Sequence, residues 1–144
     1  MTSSTPKNRP TVGLLGCCSN ASNSGALVSK ILVSISKELG DDVGILSLPA
    51  LFNRIPRQVM LAKNRIKHIL VIDGCHQRCA SKVAKSLNLR ISAYVNLEED
   101  LGIMKKGPFT THDYSEKDYI KAKEHIIMKV RNLLARSREL GGLD

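Results

Sequence analysis

HILVID, residues 68–73, carries four apolar residues in a row, Ile69 to Ile72, with no polar residue among them. A strand with one wet face alternates apolar and polar residues; an unbroken apolar run fits a strand covered on both faces. That reading separates a half-solvated antiparallel sheet from a parallel sheet with a helical layer on each side. The flanking sequence supports the second. TVGLLGCC (11–18) is another apolar run. Leu27, Val28, Ile31, Leu32, Ile35 and Leu39 then recur at helical spacing up to Gly40. VGILSL (43–48) reads as a second strand ended by Pro49, and Pro56 opens a short helix to about residue 64. After HILVID the pattern predicts a helix over about 76–87. Ile91, Ala93, Val95 and Leu97 follow as an alternating fourth strand. Residues 98–114 read as irregular, and a last helix over about 115–140 places Ile120, Ile127, Val130, Leu133 and Leu134 on one side. Strands alternating with helices predict an α/β fold. The expected form is a three-layer, Rossmann-like sandwich with a mostly parallel sheet of about four strands and helices on both faces.

The chain has 144 residues, 42% of them hydrophobic, enough for one core of ordinary size. Residues 1–10 read as a disordered tail and 11–144 as a single domain. No apolar run reaches the length of a membrane span, and MTSSTPKNRP lacks the apolar stretch of a secretory signal. A cytoplasmic protein with no membrane partner is therefore expected. In a reducing compartment four cysteines do not make a disulfide framework, which leaves metal binding, catalysis or plain packing.

The net charge is +9 and is unevenly spread. From Val43 to Leu97 there is one acid, Asp73, against nine Lys and Arg residues. Such a surface attracts RNA or another polyanion, although a merely soluble basic surface is the commoner explanation. With two Phe and no Trp, the chain has little material for base-stacking platforms.

In parallel sheets ligands gather outside the carboxyl ends of the strands. Cys17 and Cys18 end the first strand and Cys75 follows the third. If those strands are neighbours, as short connections favour, all four cysteines meet at one edge. Taken singly, each has an ordinary alternative. Cys79 falls in line with Val83 and Leu87 as a small buried hydrophobe would, and one of Cys17 and Cys18 can simply pack. Cys75, after a glycine at a strand-to-helix turn, sits where backbone amides favour a thiolate. Four thiolates suit zinc, and the spacing of Cys75 and Cys79 places both sulfurs within reach of one ion. His76 reads as an exposed first-turn residue and Asp73 as a cap for the turn.

Two enzyme templates fail. GCCSNASNSGALVS lacks the Lys of a phosphate-binding P-loop. A low-molecular-weight phosphatase loop needs an Arg six residues after its cysteine, where this chain has Asn23 or Ser24. The Ser/Asn-rich loop still offers hydroxyls and amides to a small anionic ligand, through Ser19, Ser22 and Asn23, although capping the helix is the commoner use of such residues.

These stretches resemble the DGC-domain family of small zinc-associated proteins. Cys18-Ser19-Asn20-Ala21-Ser22-Asn23-Ser24-Gly25 is similar to the family's first element, with Asn20 in place of a glycine. Ile72-Asp73-Gly74-Cys75 and Cys79-Ala80 match the second, with His76 where proline is usual, and Leu101-Gly102-Ile103-Met104-Lys105 resembles the third. The resemblance spans about residues 12–106. Many members carry a further cysteine near the position of Ser47, so three family cysteines remain here: Cys18, Cys75 and Cys79. Cys17 supplies the fourth sulfur or that place stays open. The resemblance implies a zinc-binding protein with Cys18, Cys75 and Cys79 as ligands and names no particular reaction; Cys17, not a family position, completes the expected ligand set Cys17, Cys18, Cys75 and Cys79 through the convergence of the cysteines at one sheet edge. The alternatives are a thiol or [4Fe–4S] protein of sulfur or redox metabolism with one open coordination position, and an RNA-binding module using the basic middle third.

Overall fold

The four apolar runs become four strands: β1 (Val12–Gly16), β2 (Val43–Ile45), β3 (His68–Asp73) and β4 (Ile91–Asn96). In the computed structural model they form one sheet in the order β2-β1-β3-β4, every pair parallel. The structure describes residues 10–17 and 19–141, with side chains described to Arg138. Apart from Pro10, the tail expected over 1–10 lies outside the described residues.

Parallel neighbours need crossovers, and the helices supply them. α1 (Asn23–Leu39) joins β1 to β2. Two short helices, α2 (Leu48–Phe52) and α3 (Pro56–Met60), lead through a π-turn over Leu61–Arg65 to β3. α4 (Cys79–Ser86) joins β3 to β4, and α5 (Leu97–Leu101) and α6 (Glu116–Gly141) complete the chain.

Successive side chains of β3 point to opposite faces. Leu70 and Ile72 join Val12 and Leu14 under α1 and α6, packed on Leu27, Ile31, Ile35, Ile126, Val130 and Leu133. Ile69 and Val71 join Leu15 on the other face, under Leu51, Ala62, Ala80, Val83 and Ala84. The unbroken apolar run of β3 is thus explained: each face of it has its own core. The result is the three-layer α/β sandwich expected from the sequence, with an entirely parallel sheet.

Four local expectations change. The second strand stops at Ile45 rather than residue 48, because Ser47 caps a helix there, its Oγ accepting from Ala50 N at 3.3 Å. Pro49 lies in the first turn of α2, where a missing N–H costs nothing, so it marks a helix start rather than a strand end. The helix after β3 begins at Cys79, not near residue 76. Within the stretch read as irregular, Asn96 caps α5, accepting from Glu98 N and Glu99 N at 3.1 and 3.0 Å. On α6 the buried stripe runs through Ala122, Ile126, Val130, Leu133 and Leu134. Ile120 is half exposed and Ile127 only partly buried. Among the described residues no helix is long and apolar enough to cross a membrane.

Candidate functional site

The pairing of β1 with β3, from Val12 with His68 to Gly16 with Ile72, brings their carboxyl ends together. Cys17 N carries the ladder one step further, donating to Ile72 O at 3.1 Å. Cys17 is half buried, Cys75 is buried two residues past β3, and Cys79 is exposed at the start of α4. Cys18 lies outside the described residues. Burial pushes the Cys17 thiol up to about 12. A hydrogen bond from the Gly74 backbone opposes this, and the charges of Asp73, Cys75 and Cys79 raise it further. Three thiols and a carboxylate therefore share one electrostatic neighbourhood. Among the described residues, no group of three or more His, Cys, Asp or Glu side chains is drawn together closely enough to hold a metal ion as it stands.

The exposure of Cys79 overturns its reading as a packed thiol. Val83 and Leu87 are buried, but their line does not extend back to residue 79. The helix starts there because Arg78 adopts a left-handed conformation (φ +54°) and Asp73 caps the turn beyond it. Asp73 is buried. Its Oδ1 accepts from Ala80 N at 2.7 Å, and its Oδ2 accepts from Ser81 N at 3.0 Å and from the Tyr94 hydroxyl at 2.9 Å. The sequence reading of Asp73 as a cap thus holds, with the helix amides as its partners. Gly74 fits this exit because a Cβ would lie 2.9 Å from Ser24 Cβ and 3.1 Å from the Ser24 carbonyl group. The end of β3 therefore packs directly on the first turn of α1.

Sequence reasoning missed the residues of β4 that support the cysteine loop. Asn96 is fully buried. Its Nδ2 donates to Cys75 O at 2.9 Å and to the Tyr94 hydroxyl at 3.1 Å, while its Oδ1 caps α5. Burial, followed by the neighbouring Asp73 carboxylate, raises the Tyr94 pKa, so the phenol stays protonated and donates. The available signal was the N-cap pattern Asn96-Leu97-Glu98-Glu99. His76 is exposed, as expected, but lies in the turn ahead of the helix. Its Nδ1 is 2.7 Å from Glu98 Oε1, a contact that lowers the Glu98 pKa.

In the Ser/Asn loop the three candidate residues differ. Ser19 is exposed and accepts from Ala21 N at 3.4 Å. Ser22 is buried and caps α1, accepting from Gly25 N at 3.3 Å. Asn23, also buried, donates from Nδ2 to Met104 O at 2.9 Å and accepts from Lys106 N at 2.8 Å, and its own N donates to Thr110 Oγ1 at 3.0 Å. Residues 104–111 thus form a strap across the start of α1, with Phe109 N donating to Ala21 O at 2.8 Å. The strap carries no hydrophobic period, so only its polar pairings with Asn20, Ala21 and Asn23 reveal it.

One expected result follows directly. Because the metal-free Cys17 thiol ionises only near pH 12, its alkylation at pH 8 should run about a thousandfold slower than that of an ordinary thiol and rise about tenfold per pH unit. Peptide-resolved alkylation kinetics would read this, and an ordinary rate at Cys17 would show that it is not buried among these groups.

No curated protein and no solved structure matches the chain. A family model described as the DGC domain matches residues 14–130, from the middle of β1 into the buried half of α6, and the chain belongs to the DGC-domain family.

Proposed function

We propose that this protein binds a thiolate-seeking metal ion, zinc first, at the carboxyl edge of its sheet, through Cys17, Cys75 and Cys79, with Cys18 next to Cys17 in sequence. The observation that carries the reading is the β1–β3 pairing, which puts Cys17 in the same electrostatic neighbourhood as Cys75 and Cys79. The donor chemistry fits such an ion, since sulfur ligands select zinc, cuprous copper or iron–sulfur centres over hard cations. Cys75 and Cys79 add to the opposition to Cys17 ionisation, and a bound cation removes that opposition by taking the sulfur as a thiolate. The described side chains do not close the site, so binding draws in the Cys75–Cys79 loop or recruits Cys18. Asp73 and Asn96 hold the turn between the two cysteines from either side. When bound, the metal would lock the loop or supply a Lewis-acid centre.

Elemental analysis of protein purified without oxygen or chelator tests the reading. About one zinc per chain is expected, as one shared site implies. Cys75→Ser and Cys75→Ala should both lose it, dropping occupancy to roughly a tenth or less, because serine is a poor ligand for soft metals. Cys79 is exposed, so Cys79→Ser should lose the metal while leaving the melting temperature of the metal-free protein unchanged, which separates ligation from folding. Full occupancy in Cys75→Ser, or a metal-free wild type with freely reactive thiols, would overturn the proposal. Iron with visible absorption would replace zinc by a cluster held by three thiolates with an open position.

A further inference from the structure

The cationic surface lies mostly away from the cysteine edge and has its own geometry. Asp73, the one acid between Val43 and Leu97, is buried and engaged with α4, so this stretch contributes no acid to the surface. Of its nine bases, Arg78 is paired with Glu99. The other eight are exposed, and among the described residues none of them forms an ion pair. These eight belong to the layer of α2, α3 and α4 and to the turns that enter β3 and β4.

At the amino-terminal end of the sheet this surface turns concave. A cleft of about 350 Å³ has Ile66 and Ile69 in its wall and Lys63, Lys67, Asn88 and Arg90 around it. A second cleft, of about 370 Å³, adjoins it through Lys67 and adds Arg65. α6 contributes to the same field. The half-buried His68 imidazole is lowered first by burial and then by Arg136, Arg90 and Lys67. Each of those three neighbours is a cation.

We infer that this amino-terminal cleft binds single-stranded RNA, its cations placed to meet phosphates and its concave floor, over the buried Ile66 and Ile69, giving an unstacked base a place to sit. Shape selects among polyanions. A bilayer presents a flat surface and cannot follow cations into a cleft, and a duplex keeps its bases stacked inside, whereas a single strand can insert one. The inference is independent of the metal reading, since the cleft and the cysteines occupy opposite ends of the strands.

The test is fluorescence anisotropy with a single-stranded RNA of about 20 nucleotides, titrated across salt. The triple variant Lys63→Ala, Lys67→Ala, Arg90→Ala should bind about tenfold more weakly or worse at low salt, and its log–log salt slope should flatten by about 2, near 0.7 per lost phosphate contact. The charge-matched variant Lys106→Ala, Lys117→Ala, Lys121→Ala, with its substitutions near α5 and the start of α6, should bind as the wild type does. Melting temperatures check that both variants fold. Three outcomes would overturn the inference: no RNA binding by the wild type at low salt, equal weakening in both variants, or tight binding to anionic lipid vesicles with none to RNA.

Discussion

Asp73→Ala should cost about 3 kcal/mol or more of folding stability, among the largest losses any single substitution here produces. The carboxylate accepts the Ala80 and Ser81 amides that open α4, and it is the acceptor for the buried end of Tyr94. Hydrogen bonds to a charged group contribute about 1.5–3 kcal/mol each, and their removal leaves donors without partners inside the fold. Asp73→Asn keeps one acceptor oxygen of the right shape and should lose about half as much. Urea denaturation of the metal-free protein, compared across the three chains, measures the effect. An alanine variant within about 1 kcal/mol of wild type would show that α4 does not depend on this cap.

Gly25→Ala should be nearly as damaging for a different reason. A Cβ on Gly25 would lie 1.8 Å from Ser19 O and 3.0 Å from Ser19 C, both backbone atoms with no rotamer to escape into. The loop from Ser19 to Ser22 would have to lift by more than an ångström or the first turn of α1 would unwind. The expected loss is about 2–4 kcal/mol, as for other substitutions that break a backbone contact. Because Cys17 leads into this loop, the same variant should speed its alkylation. An unchanged stability together with an unchanged Cys17 rate would mean that the loop does not fold back over the helix as described.

The two-faced burial of β3 was legible in HILVID, since four consecutive apolar residues leave no wet face. The neighbourhood of Cys17 and Cys75 was expected only on the condition that the first and third strands are neighbours, and the sheet meets that condition because β2 lies on the outer side of β1. The state of Cys79 was not, because the start of α4 is set by a carboxylate seven positions before the first amide it caps and by a left-handed Arg78, neither of which has a period. Extending the Val83–Leu87 line backwards reaches Cys79, the first residue of α4, which is exposed. Asn96 and the strap escaped for a related reason. Their partners lie 21 and more than 80 residues away, and such polar pairings leave no mark in hydrophobic spacing. The face of α6 was misread because Ala122 and Ile126, rather than the larger Ile120 and Ile127, turn to the core.

The division of the core by the sheet also sets an order of assembly. The helices over Ile69 and Val71 are α2, α3 and α4, all complete by residue 86, whereas the opposite face waits for Ile126, Val130 and Leu133 on α6. During synthesis one side of the sheet can therefore close while the apolar stripe of α1 still lacks its partner. No strand pair is a hairpin, so every pairing awaits a crossover and local contacts alone cannot hurry it. The nascent chain passes through a stage with one finished face and one sticky face, when it is most open to aggregation and most in need of a chaperone.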